Sequence, residues 1–303
     1  VAPSAVFLNY TNPMAIVTGS AIRHWQGQAV GLCHSVQVCA TNLLRDLGIE
    51  ARSPRWRIAG INHMAWLLEI EDEGTDLYPE IRRRAKERNL SALEDPTRRH
   101  PDMVRYEMMR YFGYYLTESS EHNAEYTPYW IRRTAPELIE RFQIPIDEYL
   151  LRCEEHISSW TERLEILRGD GIVEHIRSIE YACDIIAAVA SDRPTRIHGN
   201  VVNNGKISNL PREAVVEVPI LVDGNGIQGV EVGPLPAQCA ALNMTNVQVQ
   251  LLTIEAARER SRDRVYQAAM LDPHTGSELT LDAIVAMCDE LFEAHRDYLP
   301  EYR

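Results

Sequence analysis

The sequence predicts an α/β fold that turns helix-rich after its first quarter. Three observations predict it. Short apolar runs alternate with helix-period segments up to about residue 70, helical periodicity dominates from 75 to 170, and alternating β-branched residues return between 196 and 232.

Taken in order, residues 5–8 form an apolar run that suits a buried strand, and Thr11-Asn12-Pro13 breaks it. Pro13 fits the first turn of a helix over 14–25, with Thr11 or Asn12 as its cap. Residues 28–32 give a second strand. Val36, Cys39, Ala40, Leu43, Leu44 and Leu47 then mark one face of a helix over 35–47, closed by Gly48. Residues 56–61 and 65–70 alternate like strands around the turn Asn62-His63. Three- and four-residue apolar steps predict helices over 77–89, 103–115, 129–142 and 146–168. The stretch 116–126 is polar and non-periodic and reads as a loop. A helix over 173–191 precedes strands over 215–222 and 227–232, and helices over 235–267 and 281–298 close the chain. Gly224-Asn225-Gly226-Ile227-Gln228-Gly229 matches GxGxxG by letter. A phosphate cradle needs a helix to open at its end, and here a strand pattern follows, so the segment reads as a hairpin.

The chain has 303 residues, and its 44 acidic against 31 basic residues leave a formal net charge of −13, which argues against a nucleic-acid partner. Six scattered cysteines without a CxxC pair read as reduced thiols. No apolar run approaches the roughly 20 residues that a membrane span needs. No charged-then-apolar leader is visible, and the cytoplasm is the expected compartment. The chain opens on an apolar run with no Met, so further residues are expected ahead of Val1.

Two echoing stretches concentrate the reactive side chains. Gly31-Leu32-Cys33-His34-Ser35-Val36 and Gly60-Ile61-Asn62-His63-Met64-Ala65-Trp66 each place a metal donor after a glycine and a short apolar step. Cys33 and His63 are therefore candidate ligands of one divalent cation. A buried small hydrophobe and a satisfied core histidine are the plainer readings of the same residues. The 116–126 stretch offers acid–base groups in Glu118, His122 and Tyr126, and it reads equally as a solvated connection. The asparagines from Asn200 to Asn209 suit either turns or a polyhydroxylated ligand.

Together these stretches resemble glycoside hydrolase family 4, in its α-galactosidase and α-glucosidase branch. The resemblance is carried by Asn9-Tyr10-Thr11-Asn12-Pro13-Met14, the Cys33 and His63 stretches, the segment from Thr117 to Tyr126, the segment from Asn200 to Pro219, and Val232-Gly233-Pro234-Leu235-Pro236, all in family order. It implies NAD and a divalent metal, manganese first, in place of the two carboxylates of other glycosidases. Implied too is a reaction of oxidation at C3, proton loss at C2, elimination at C1, water addition and return of the hydride, acting on unphosphorylated α-glycosides, α-galactosides first, with α-glucosides or α-uronides (galacturonides, glucuronides) as the alternative within the family. Cys33 and His63 match the metal ligands. Asn12 matches a residue near nicotinamide and sugar, Asn62 a sugar contact, and Asn200 falls in a substrate-binding stretch. His34 stands where the phospho-sugar branch has a general acid, and Tyr126, His122 and Glu118 are the candidate C2 bases.

The architecture implied is the end of a Rossmann-type domain, like that of lactate and malate dehydrogenases, over 1–70, followed by a mixed α+β, helix-rich substrate domain over 71–303. Homodimers or homotetramers are implied as well, and the apolar faces near 146–168 and 247–270 suit subunit packing. The family's dinucleotide fingerprint has no counterpart here in a strand-to-helix setting, so the cofactor half is expected upstream of Val1. A hydroxy-acid dehydrogenase and a sugar-binding protein without a cofactor half remain open beside the glycosidase.

Overall fold

The structure is a computed structural model describing residues 5–25, 27–169 and 178–303. The first four residues of the expected opening, and part of the helix read over 173–191, lie outside them. Among the described residues nine strands form one sheet: β1 (Val6–Asn9), β2 (Gln28–Gly31), β3 (Pro54–Ile61), β4 (Met64–Asp72), β5 (Thr75–Asp76), β6 (Tyr115–Leu116), β7 (Thr195–Val202), β8 (Val215–Asp223) and β9 (Gly226–Gly229). Their order is β1-β2-β7-β8-β3-β4-β5, with β6 on β4 and β9 on β8.

The helices, in chain order, begin with α1 (Met14–His24), α2 (His34–Asp46), α3 (Tyr78–Glu94) and α4 (Met103–Phe112). Then come α5 (Ser120–Glu125), α6 (Glu137–Arg141), α7 (Glu148–Arg168) and α8 (Ala182–Ser191). The chain closes with α9 (Ala237–Glu259), α10 (Arg262–Leu271), α11 (Thr275–Glu278) and α12 (Leu281–Ala294).

Strand β1, helix α1 and strand β2 make a parallel β-α-β unit, as the opening of an α/β fold should. The rest of the sheet is antiparallel. Side chains on β4 alternate between two cores: Met64 and Trp66 enter one cluster with Val216 and Val247, while Ala65 and Leu67 enter the other with Leu43 and Ile81. A strand covered on both faces reads as a near-continuous apolar run, which is why the residues from Met64 to Leu68 are all apolar. Strand β4 runs across position 70.

One row of residues crosses the centre of the sheet in register: Gly31 pairs with Asn200, Asn200 with Glu217, and Glu217 with Gly60. Both end glycines are forced by crowding. A Cβ on Gly31 would lie 2.2 Å from Met14 Sδ. One on Gly60, whose φ is +156°, would lie 2.7 Å from the Ala65 Cα.

Several helices differ from the sequence expectation. The helix read over 129–142 shrinks to α6, because Pro136 lacks a donor and pushes Ala135 out of the helical region. The helix read over 235–267 breaks at Arg260, with φ +53°, and Ser261 caps α10 by accepting from Arg264 N. The helix over 103–115 stops at the left-handed Gly113, which frees Tyr115 and Leu116 to join β4. The stretch read as a loop over 116–126 holds α5, capped by Ser119. The GxGxxG segment is the β8–β9 hairpin, pairing Asp223 with Gly226.

Candidate active site

Cys33 ends the turn after β2 and caps α2, and His63 occupies the two-residue turn between β3 and β4 with φ +63°. The residues flanking that turn, Gly60 and Ile61, pair with Ala65 and Met64, so the turn projects His63 from the end of the hairpin. Glu118 arrives through β6. Thr117 N donates to Ala65 O at 2.8 Å, and Thr117 Oγ1 accepts from Ala65 N at 3.2 Å. Pinned in this way, the chain turns at Glu118 with φ +68°. The donor atoms of Cys33, His63 and Glu118 all lie within 4.8 Å of one another. Non-glycine residues at positive φ are strained, and two of these three donors hold that conformation.

The electrostatics follow from burial. Burial pushes the Cys33 thiol up to about 12, with the Glu217 and Glu118 carboxylates adding to it. Burial also drives the His63 imidazole down to about 4, against the pull of Glu118. With no cation, the trio therefore carries a protonated thiol and a neutral imidazole at pH 7. Cys33 is further clamped by Tyr181, whose hydroxyl accepts from Cys33 N at 3.1 Å and donates to Cys33 O at 3.2 Å.

The His122 ring lies tilted at 36° against His63 with centroids 4.8 Å apart, and its Nδ1 lies 3.3 Å from a Glu125 oxygen. That partner raises the His122 pKa. Glu121, His122 and Glu125 also bring their donor atoms within 4.8 Å of one another, immediately behind the first trio. Tyr126 meets His63 edge-on at 6.0 Å, and its backbone carbonyl accepts from Asn246 Nδ2 at 3.1 Å. Burial lifts the Tyr126 hydroxyl to about 12.

A cavity of about 250 Å³ opens beside this group, lined by Pro13, Met14, Asn62, Tyr126, Asn246 and Asp272 among others. Asn62 is 3% exposed, and its Nδ2 has no hydrogen-bond partner. A buried amide left unpaired marks a place for a ligand oxygen. Asn12 lies just ahead of α1, its Oδ1 accepting from Met14 N at 3.1 Å.

His34 and Asn200 sit apart from the trio. His34 is half-exposed, stacks on Tyr10 at 5.3 Å and hydrogen-bonds Glu180. Asn200 is fully buried and donates to Gly31 O at 3.4 Å and to Glu217 Oε1 at 3.1 Å. Three residues at the site escaped the sequence reading of individual side chains: Tyr181, Asn246 and Glu217. Only Glu217 leaves a signal, as the single acid inside the apolar run of β8. Burial pushes its carboxyl up to about 8 against the Asn200 hydrogen bond, and its Oε2 has no partner.

The Family 4 glycosyl hydrolase C-terminal domain matches residues 58–275, and Family 4 glycosyl hydrolase matches residues 1–49. The chain belongs to glycosyl hydrolase family 4. An α-galactosidase of Bacillus subtilis (strain 168) is 54% identical over 301 residues, which is 99% of this chain and 68% of that protein. An α-galactosidase of Rhizobium meliloti (strain 1021) is 35% identical over 312 residues, covering 99% of this chain and 62% of its own length. The chain thus spans about two thirds of the relatives that it matches. Among solved structures, lplD from Bacillus subtilis superposes with a TM-score of 0.82 at 22% identity, over 96% of this chain and 69% of that one. A 6-phospho-α-glucosidase from gut microorganisms, in complex with NAD and Mn2+, gives 0.77 at 22% identity, over 100% and 69%. These likenesses establish the mixed α/β fold.

A thiol, an imidazole and a carboxylate converging in one buried spot form a donor set suited to a borderline divalent cation. A bound cation would also reverse the raised thiol pKa, since thiols that coordinate a metal lose their proton. The residues fit a metal of the kind that the family uses. Among the described residues, no helix is long and apolar enough to cross a membrane.

Proposed function

We propose that the whole protein hydrolyses unphosphorylated α-glycosides, α-galactosides first, with NAD and a divalent metal. The observation carrying this reading is the convergence of Cys33, His63 and Glu118 beside the Asn62 cavity, in a family member 54% identical to an α-galactosidase. Cys33, His63 and Glu118 would hold the ion. When bound, the metal would supply Lewis-acid stabilisation of negative charge on substrate oxygens, and NAD would supply hydride chemistry.

Every other task falls to side chains. The unpaired Asn62 amide donates to a sugar hydroxyl. Tyr126, which lines the cavity, would take the C2 proton as a phenolate, its own proton having gone to solvent under the influence of the nearby cation, and Asn246 fixes it through its carbonyl. Glu118 is thereby reassigned from base to ligand, and His122 to positioning His63. Asn12, just ahead of α1, would contact nicotinamide and sugar. His34, steered by Glu180 and Tyr10, meets the leaving group and marks the branch for unphosphorylated sugars. Asn200 keeps Glu217 in the sheet row that joins the two ligand turns. Residues 1–70 would complete the NAD-binding domain, and 71–303 would form the substrate domain. Six free cysteines and the use of a dinucleotide cofactor support a cytoplasmic setting.

A panel of nitrophenyl α-glycosides, assayed on the whole protein with NAD, manganese and a reductant, tests the reading. Turnover of the α-galactoside that requires both NAD and metal supports it. Turnover that persists after EDTA and removal of NAD sinks it.

A further inference from the structure

Glu118 holds a backbone conformation that suits it poorly. At φ +68° it lies in the left-handed region, where a Cβ crowds the chain. Such a residue persists only where the surrounding structure over-determines it. The bonds between Thr117 and Ala65 fix one side of the turn and leave the carbonyls around Glu118 to be accounted for. Two buried side chains account for them. Asn123 of α5 is fully buried, and its Nδ2 donates to Thr117 O at 3.2 Å and to Ser119 O at 2.9 Å. One amide thus grips the carbonyls of both residues that flank Glu118. Arg105 of α4 donates from Nε at 3.1 Å and from Nη2 at 2.8 Å to the next carbonyl back, Leu116 O. Beyond the turn, the Arg105 backbone N donates to Ser120 Oγ at 3.4 Å.

Arg105 is an unusual tie between a helix and a strand. Its side chain is 12% exposed, as is that of Asp102, whose Oδ1 accepts from Nη1 at 2.9 Å. Tyr115 completes the cluster. The Arg105 guanidinium lies over its ring, 4.1 Å from the centroid, and its hydroxyl donates to Asp102 Oδ2 at 2.9 Å. Burying an ion pair costs free energy that an apolar pair of the same volume would not, so attaching α4 to β6 does not by itself ask for one. What the guanidinium alone supplies is a planar fork, with two N–H groups directed at one carbonyl. We propose that Arg105 and Asn123 are positioning residues of the metal centre. Together they hold the strained turn rigid, so that the Glu118 carboxylate already faces Cys33 and His63 before an ion arrives.

Both side chains act through the backbone, Arg105 through Leu116 and Asn123 through Thr117 and Ser119. A turn without these bonds would relax Glu118 toward negative φ and carry its carboxylate away from the other two donors. Binding an ion would then have to order the turn first, and affinity would fall by that amount. The inference rests on the reading of Glu118 as a ligand.

Titration calorimetry of manganese into the metal-free whole protein, run beside melting temperatures, tests the assignment. Arg105→Lys keeps a cation against Asp102 but loses the fork, and Asn123→Ala loses both carbonyl bonds. The expected result is manganese affinity about 10–100-fold weaker in each. Tyr115→Phe is the control for stability alone. It loses the bond to Asp102, keeps the ring under Arg105 and leaves Leu116 O untouched, so its melting temperature should fall while its manganese affinity stays that of the unmodified protein. Unmodified affinity in both Arg105→Lys and Asn123→Ala overturns the proposal. So does an equal loss in Tyr115→Phe, which would make general loosening the cause. Glu118→Gln separates this inference from the reading beneath it. Affinity lost there but kept in the other two variants removes the positioning role alone, whereas affinity kept in Glu118→Gln removes the ligand assignment and the positioning role with it.

Discussion

The trio at Cys33, His63 and Glu118 and the bare face of α7 are opposite departures from the same rule. One draws titratable groups together away from water, beside the unpaired amide of Asn62 and the unpaired Glu217 Oε2. The other leaves large apolar side chains in water along a full helix, none of whose 21 residues is buried. A folded domain tolerates neither arrangement without a reason, since an unpaired buried polar group costs about 1–3 kcal/mol and bare apolar faces are confined to binding surfaces. The two differences point to two kinds of ligand. Convergent soft and hard donors ask for a cation, and an apolar helix face suits the subunit packing that the family resemblance implies. The first region gains its order from the sheet, through strained turns that the β2, β3 and β6 ends hold in place. The second has no such scaffold, since no residue of it is buried.

Substitutions inside the trio should have the largest effects. Cys33→Ser removes the soft donor, and α-galactoside turnover should fall to background, with manganese no longer retained on gel filtration. Full activity in that variant would reduce Cys33 to a buried small hydrophobe. Tyr126→Phe should cost about 10²–10⁴-fold in kcat while leaving metal affinity intact, the range expected for loss of a general base. A change confined to KM would make Tyr126 a substrate contact instead. Tyr181→Phe probes the clamp on the Cys33 backbone, so its expected effect is smaller: about 10–100-fold in manganese affinity by titration calorimetry, as for other groups that orient a ligand. By contrast, Ile157 is 75% exposed on the bare face of α7, and Ile157→Glu should change protomer folding by no more than about 0.5 kcal/mol, measured in dilute solution.

How much of this could be read in advance depends on how local the cause is. Cys33 and His63 were legible because each follows a strand within its own short segment, with a glycine that the crowded sheet centre demands. Glu118 was legible as an acid–base group but not as a partner of the other two. Its position depends on Thr117 bonding Ala65, 52 residues away. The Tyr181 clamp spans 148 residues and leaves no local mark at all. The same holds for the antiparallel body of the sheet: the β1-α1-β2 unit announces itself, whereas the insertion of β7 and β8 between β2 and β3 is a long-range choice. Helix α6 failed for a local reason, since Pro136 was outvoted by apolar periodicity.

Glu217 offers the finest test of the contrast, because it joins the buried cluster without being a ligand candidate. Its carboxyl is held up at about 8, chiefly by burial, against an unfolded value near 4.5. Below pH 4.5 both states are protonated and the group contributes nothing to the pH dependence. Between 4.5 and 8 the unfolded chain has released its proton while the folded protein keeps it, so stability falls as pH rises. Above 8 both are ionised and the slope vanishes. In metal-free protein this one group accounts for a decline on the order of a few kcal/mol across that window. Glu217→Gln keeps the shape and the hydrogen bond to Asn200 with no proton to lose, so its denaturation midpoints in EDTA should fall less steeply from pH 5 to pH 8. Equal slopes in the two proteins would mean that water or a rearranged amide already relieves the carboxylate. Manganese supplies the complementary measurement. A cation at the trio favours the ionised carboxylate, so adding it should flatten the slope of the unmodified protein and leave that of the variant nearly unchanged.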